Sequence, residues 1–415
     1  MPITEAQQSP IHPPIDQPRL PHIVVGITSP YTCLVLTGRL RALREAGFRV
    51  TLVSGPGKLL DDIGKREGVQ TIPVPMERGI TPLADIVALV RLWRLLRKHK
   101  PDVTEFSTPK AGLLGNLAAQ LACVPRRVYM LRGLKLETAR GFKRGILLLA
   151  ERLAAASAHV VLCNSTSLHA EAVRLRLAPE EKLQIVGAGS SNGVDIEKFS
   201  PGPSDVRDRL GLPESAPVLG FVGRLTRDKG LSDLTAAFEM ILKAQPEAYL
   251  LLVGWFDTSD DALETWVRLH IRTHPRIVCT GYVANTAPYY RAMDILILPT
   301  RREGFPNVVL EASATGIPVI TTLATGSRDA VLPEVTGLLI PPGYPEAICE
   351  ATLKLLAYPE RCRRMGASAR AWVIENYVDG HVLSLTMEFY KDLLKRSGGV
   401  NSLREAAMES AVPLQ

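Results

Sequence analysis

The sequence predicts an α/β protein with two doubly wound domains, and three observations carry that reading. Short runs of β-branched residues alternate with stretches of helical periodicity along most of the chain. A segment dense in Gly, Ser, Asn and Pro, residues 187–203, separates two such series. The length of 415 residues asks for two or three packing units at roughly 150 residues each. Strand–helix alternation of this kind favours parallel sheets covered on both faces.

In the first series, His22 to Ile27 is a short apolar run suited to a buried parallel strand. Leu36, Leu40, Leu43 and Ala46 then recur at helical spacing, and Gly47 supplies a stop before a second strand at Arg49–Val53. Further strands are expected at Thr71–Val74, Val103–Phe106, Arg127–Leu131 and Val160–Cys163. The intervening helices are expected over Leu83–Lys98, Ala111–Ala122 and Phe142–Ala156, with Asn164-Ser165-Thr166 capping another.

The second series opens at Val218–Val222, followed by a helix over Leu231–Ala244 and a strand at Tyr249–Val253. Strands at Arg276–Thr280, Ile295–Leu298, Pro318–Thr321 and Gly337–Ile340 complete a second Rossmann-like layout. The amphipathic stretch Asp379–Lys395 follows the last strand and is free to cross back onto the first domain. The expected division is a disordered or extended lead over 1–20, domains over 21–200 and 201–378, the returning helix 379–395, and a tail over 396–415.

Composition narrows the function. Hydrophobic residues at 46% and charged residues at 22% are enough for substantial cores and exclude a globally disordered chain. The net charge of 49 − 42 = +7 is mild; it suits attraction to phosphates or an anionic membrane surface better than dedicated nucleic-acid binding. Six scattered cysteines lack the close spacing of a metal or redox motif and read as reduced thiols of a cytosolic protein. Residues 1–21 lack the charged-then-apolar order of a signal peptide. The best membrane-span candidate, Asp85–Lys100, is broken by Arg91, Arg94, Arg97 and Lys98.

Open α/β sheets bind ligands beyond the carboxyl ends of their strands, where helix N-termini favour anions. Four segments occupy such places. In Gly223–Gly230, Arg224 and Lys229 can converge on a diphosphate, Arg through its planar fork and Lys as a point charge, or can merely solvate a turn. In Arg301–Glu311, Glu303 precedes the Gly304-Phe305-Pro306-Asn307 turn and Glu311 lies in an apolar stretch, where a carboxylate needs donors such as sugar or ribose hydroxyls. A capping Glu303 and a core-edge Glu311 paired with an arginine is the alternative. Gly187–Asp195, which holds Asn192, is a polar hinge lining a cleft or a plain linker. Ile27-Thr28-Ser29-Pro30 offers amides after the first strand but lacks a dinucleotide glycine fingerprint.

Together, Gly223-Arg224-Leu225 with Lys229-Gly230, the Glu303 and Glu311 pair, and Asn192-Gly193-Val194-Asp195 resemble the retaining nucleotide-sugar glycosyltransferases of family 4. The resemblance spans about Pro21 to Lys395 and is most specific between Gly220 and Pro341. It implies the GT-B fold, two Rossmann-like domains facing a cleft. It also implies capsule, exopolysaccharide or lipid-linked oligosaccharide synthesis, with a UDP-sugar as the expected donor. In that reading Arg224 and Lys229 neutralise the leaving diphosphate, and Glu311 holds the ribose. Glu303, Gly304, Asn307 and the amides near Phe305 and Pro306 hold the sugar. The base lies against Gly281, Tyr282 and Val283, while Ser29 and Gly223 contact the donor. No D-x-D motif is present, and Asp257, Asp260 and Asp261 read as a surface turn, so no required metal or other cofactor is expected.

One departure stands out. Many members carry a histidine after the strand that here ends at Leu131, where this chain has Arg132. A guanidinium stays protonated and is no base; Arg132 can contact the donor sugar or an acceptor phosphate. His270 and His274 are one helical turn apart without a third ligand and read as a surface pair.

The helix over 83–100 carries Arg91, Arg94 and Lys98 on one stripe, with Leu89, Leu92, Trp93 and Leu96 around it, and a second basic apolar stretch covers 140–149. Both either rest on anionic lipid headgroups, presenting a polyprenyl-diphosphate-linked acceptor at the inner face of the membrane, or pack on the sheet with solvated cationic edges. The competing functions are a nucleotide-sugar epimerase of similar architecture and a non-catalytic partner in a polysaccharide assembly complex.

Overall fold

The computed structural model describes residues 19–77, 79, 81–257 and 261–395. The expectations for the lead up to residue 18, for the tail 396–415 and for Asp260 lie outside the described residues.

The first sheet contains β1 (His22–Gly26), β2 (Arg49–Ser54), β3 (Gln70–Pro73), β4 (Val103–Ser107), β5 (Arg126–Leu131), β6 (Val160–Cys163) and β7 (Leu183–Gln184). Its order is β3-β2-β1-β4-β5-β6-β7, and every pairing is parallel. The second contains β8 (Val218–Val222), β9 (Tyr249–Val253), β10 (Ile277–Gly281), β11 (Ile295–Leu298), β12 (Val319–Thr322) and β13 (Gly337–Ile340). They run in the order β10-β9-β8-β11-β12-β13, again parallel. Continuous apolar runs such as VLGFV and ILIL are buried along their whole length, as strands covered on both faces require. Strand order reverses beside β1 and beside β8, so each lobe has a topological switch point where ligand crevices form.

Element limits expected from periodicity differ from the observed ones by a residue or two, with three larger departures. Leu36 ends a 3-10 turn, Pro30–Leu36, and the α-helix begins only at Arg39, because Gly38 at φ +78° breaks the backbone between them. Helices Lys58–Glu67, Val206–Leu210, Pro345–Leu356 and Pro359–Asn376 are additions to the expected set. The two-residue β7 is too short to leave a pattern.

The helix Asp379–Lys395 places Met387, Tyr390 and Leu393 in the same core cluster as Ile23, Leu40 and Val103 of the first lobe. Arg126 clamps the end of that helix by donating to the carbonyls of Leu393 (2.5 Å) and Leu394 (2.7 Å). Within the fold, Glu105 on β4 takes both arms of Arg39 at 3.0 and 2.5 Å and also accepts from the Tyr390 hydroxyl. The 187–195 segment is stitched to the start of this helix: the Val194 amide donates to Tyr377 O (2.8 Å) and the Asp379 amide to Val194 O (3.1 Å). The two chain crossings between the lobes therefore run side by side. All six cysteines are free thiols.

Candidate active site

The site grows from the loop after β8. Gly223 leaves the strand at φ +143° with its amide spent on Val253 O at 2.9 Å, and the loop closes at Gly230, which caps the helix Leu231–Ala244. Only glycine fits there: at φ +76°, an added Cβ would stand 2.0 Å from the Pro299 carbonyl oxygen. Between these ends the backbone is braced by Leu225 N to Trp255 O and Arg227 N to Asp261 O, both 2.9 Å. Arg224 and Lys229 are thus held in one short, fixed loop.

Carboxylates from neighbouring loops meet these cations. Arg224 pairs with Asp257 at 2.5 Å, Lys229 with Glu303, and Arg302 with Asp228 at 2.8 Å and Asp261 at 3.4 Å. The expected surface turn is corrected here: Asp257 is buried and Asp261 half-buried, because each answers an arginine of the site. Burial alone would push the Asp228 carboxyl up, yet Arg302, a Thr226 hydrogen bond, Lys229 and Arg224 hold it below its ordinary value. Asp228 and Arg302 are absent from the expected site residues; nothing in their local sequence distinguishes them from a solvated turn.

A cavity of about 150 Å³ lies between the lobes. Arg132, Gly133 and Leu134 line it from the first lobe, and Arg224, Asp228, Lys229, Arg302 and Glu303 line it from the second. Four of the expected site residues, Arg132, Arg224, Lys229 and Glu303, therefore face one space. The lobes touch at its edge, where a Cβ on Gly304 would stand 2.5 Å from the Arg132 carbonyl. Four hydrogen bonds among the described residues hold this closure: Thr325 Oγ1 donates to Glu137 (2.6 Å), Ser167 N (2.9 Å) and Ser167 Oγ both donate to Asp329, and Gly326 N donates to Ser167 Oγ (2.7 Å). The cavity is smaller than the roughly 300–1,000 Å³ of ordinary small-molecule sites.

The remaining candidates lie around this centre. Glu311 is half-buried in the helix Asn307–Thr315 and accepts from the buried Tyr290 hydroxyl at 2.6 Å, a tyrosine rather than the arginine weighed as its alternative partner. Burial drives its carboxyl up to about 7, against the pull of Tyr290 and Lys198. Phe305 points into the core against Tyr377, ring centroids 5.3 Å apart, and Pro306 has no N–H to offer; amide donation falls to Phe305 and Asn307. Tyr282 is exposed at the end of β10, edge-on to Trp255 at 5.5 Å, and Val283 packs on the second core. Ser29 caps the 3-10 turn beyond β1, and Asn192 donates to Val35 O in that turn; neither lines the cavity. His270 and His274 share Glu239 at 2.9 and 3.4 Å. Among the described residues, no group of three or more His, Cys, Asp or Glu is placed to hold a metal ion.

Family models match both lobes. "Glycosyl transferase 4-like domain" covers residues 36–189 and "Glycosyl transferases group 1" covers 216–358. The capsular polysaccharide biosynthesis glycosyltransferase CapM of Staphylococcus aureus is 33% identical over 367 residues, 88% of this chain and 95% of CapM. The chain belongs to the group 1, family 4-like glycosyltransferases. A second relative, the Escherichia coli UDP-Gal:alpha-D-GlcNAc-diphosphoundecaprenol alpha-1,3-galactosyltransferase, is 29% identical over 63% of this chain and 68% of its own length. The crystal structure of Anabaena HepE in complex with UDP-glucose superposes with a TM-score of 0.74 at 18% identity, over 89% of this chain and 99% of HepE. That likeness shows the GT-B fold for this glycosyltransferase.

Two features beyond the site itself bear on its surroundings. No helix among the described residues is long and apolar enough to cross a membrane. The helices Pro82–His99 and Gly141–Ser157 flank the helix Pro109–Leu121, and each exposes an apolar stripe. Leu83, Ile86, Val87 and Val90 form one, and Phe142, Ile146, Leu149 and Leu153 the other. In the first helix Leu92 and Leu96 are buried and Leu89 and Trp93 pack against the core, so these four follow the sheet-packing alternative, and the exposed apolar stripe is a different set of residues. Phe142, 85% exposed, is bordered by the exposed Arg140, Lys143 and Arg144.

Proposed function

We propose that this glycosyltransferase moves a hexosyl or N-acetylhexosaminyl group from a UDP-sugar to a polyprenyl-diphosphate-linked or oligosaccharide acceptor, building a bacterial surface polysaccharide. The reaction retains the anomeric configuration and requires no metal. The observation that carries the reading is that Arg224, Lys229 and Glu303 line one interlobe cavity. Departure of the nucleoside diphosphate builds negative charge on phosphate oxygens, and cations fixed in advance lower that barrier. Arg224 and Lys229 meet the diphosphate, Glu303 accepts hydrogen bonds from the sugar, and Glu311 accepts them from the ribose.

In a front-face reaction the acceptor oxygen bonds to the anomeric carbon as the bond to the β-phosphate oxygen breaks. The hydroxyl proton passes to that departing oxygen, so no protein base is needed, which suits a site where Arg132 cannot be one. UDP as the donor nucleotide is supported by the HepE complex, and a lipid-linked acceptor by the E. coli relative. The two exposed apolar stripes, the one at Phe142 bordered by Arg140, Lys143 and Arg144, suit the anionic inner leaflet, where such an acceptor resides.

The test is transfer from a panel of UDP-sugars to polyprenyl-diphosphate-linked and soluble oligosaccharide acceptors, with anomeric configuration read by NMR and EDTA present in a parallel set. Product with retained configuration in both sets supports the proposal. Isomerised UDP-sugar without acceptor would mean an epimerase, and an unaltered donor in every mixture would mean a non-catalytic assembly partner.

A further inference from the structure

The cations of the cavity are not equivalent. Arg224, Lys229 and Arg302 each have a carboxylate within ion-pairing distance. Arg132 has none among the described residues. Its Nη1 donates to Ser191 Oγ at 2.6 Å, while Nε and Nη2 are shut away from solvent without a hydrogen-bond partner. The carboxylate behind it, Glu105, is engaged by both arms of Arg39 and by the Tyr390 hydroxyl. Burial and the neighbouring Arg39 lower the Arg132 pKa to about 10, which still leaves the guanidinium charged at neutral pH.

A buried charge with unsatisfied donors is costly, and a site that keeps one has a use for it. A guanidinium presents parallel N–H groups that match the two oxygens of a carboxylate or phosphate. The donor diphosphate, on the reading proposed above and on which this inference rests, already has Arg224 and Lys229. We infer that Arg132 receives a second anionic group carried by the substrates, an oxygen pair separate from the donor diphosphate. Its source is the C6 carboxylate of a uronic-acid donor or a phosphate of the acceptor. Arg132 thereby sets specificity, and Ser191 aims it.

The test compares wild type, Arg132→Gln and Arg132→Lys. Two matched substrate pairs are used: UDP-glucose with UDP-glucuronate, and a neutral alkyl glycoside acceptor with its polyprenyl-diphosphate counterpart. The inference expects wild type to prefer the charged member of one pair, and Arg132→Gln to lower that preference in kcat/KM by about tenfold or more. Arg132→Lys, a charge without the fork, should fall between. Loss confined to the donor pair assigns the carboxylate, and loss confined to the acceptor pair assigns the phosphate. If Arg132→Gln does not fold, the wild-type preference and the Lys variant decide.

Equal loss on every substrate with weakened UDP binding would put Arg132 on the donor diphosphate and overturn the inference. A wild type indifferent to charge in both pairs would also overturn it, leaving the proposed function standing if UDP still binds and transfer occurs. A wild type that neither binds UDP nor transfers from any UDP-sugar would sink both.

Discussion

Lys229 and Glu303 form an ion pair across two loops of the second lobe, their side chains only 18% and 14% exposed. On the proposed reading, the pair holds the cation in position until a donor arrives, and the diphosphate would compete with Glu303 for it. Removing each partner should therefore have different effects. Lys229→Ala should lower kcat by about a hundredfold to a thousandfold, the scale of a lost charge-stabilising donor, and weaken UDP binding. Glu303→Gln should leave UDP binding equal or tighter while lowering turnover. Calorimetric UDP titration beside steady-state kinetics separates the two.

Glu311 should make donor binding depend on pH. Burial raises its folded-state pKa from about 4.5 to about 7, so the carboxylate proposed to accept ribose hydroxyls would disappear as pH falls below neutrality. KM for the UDP-sugar should rise severalfold between about pH 8 and about pH 6 and flatten in Glu311→Gln. Linkage fixes the sign for stability. Because the folded pKa is the raised one, the neutral carboxyl's contribution is complete below the unfolded value and is lost as pH rises through about 7. Glu311→Gln should therefore melt above wild type at alkaline pH, an advantage that thermal scans should see vanish in acid.

The returning helix should be a condition of first-lobe stability. Tyr390→Phe removes one donor from the buried Glu105 and should cost about 1–3 kcal/mol. Arg39→Met strands that carboxylate and should cost about 3–5 kcal/mol. A double change of Arg39→Met with Glu105→Leu should recover much of the loss. Urea denaturation read by hydrogen exchange on β1 and β4 reports on the lobe concerned.

The exposed stripe Phe142, Ile146, Leu149 and Leu153 should bind anionic vesicles through apolar insertion assisted by Arg140, Lys143 and Arg144. Flotation with phosphatidylglycerol vesicles should fall as salt rises and be lost in Phe142→Asp with Leu149→Asp. Equal flotation of that variant would exclude the stripe as the contact.

The sequence made legible what depends on local pattern. The four residues Ile295–Leu298 are apolar throughout, and they form the buried strand that the run implies. Gly230 marks the helix start because no other residue fits beside Pro299. Partners contributed by distant loops left no such trace. Asp257 looks like any acid in a polar turn until folding brings Arg224 beside it, 33 residues away in sequence. The helix Pro82–His99 carries apolar residues on two faces, Leu83, Ile86, Val87 and Val90 outward and Ala88, Leu92, Leu95 and Leu96 inward, and its pattern alone does not say which of them meet the core. Arg132 was visible as a departure from a pattern, but its unpartnered guanidinium nitrogens belong to the packing around it.

The central claim is that Arg224 and Lys229 grip the diphosphate of a uridine nucleotide, and thermal unfolding with and without UDP tests it most directly. Ligand at a hundred times its dissociation constant stabilises the folded state by about 2.7 kcal/mol. Wild type should therefore melt several degrees higher with UDP, with little or no shift in the Arg224→Ala Lys229→Ala variant. A wild type that UDP leaves unmoved while another nucleotide raises its melting point, or a double variant with the full UDP shift, would contradict the account.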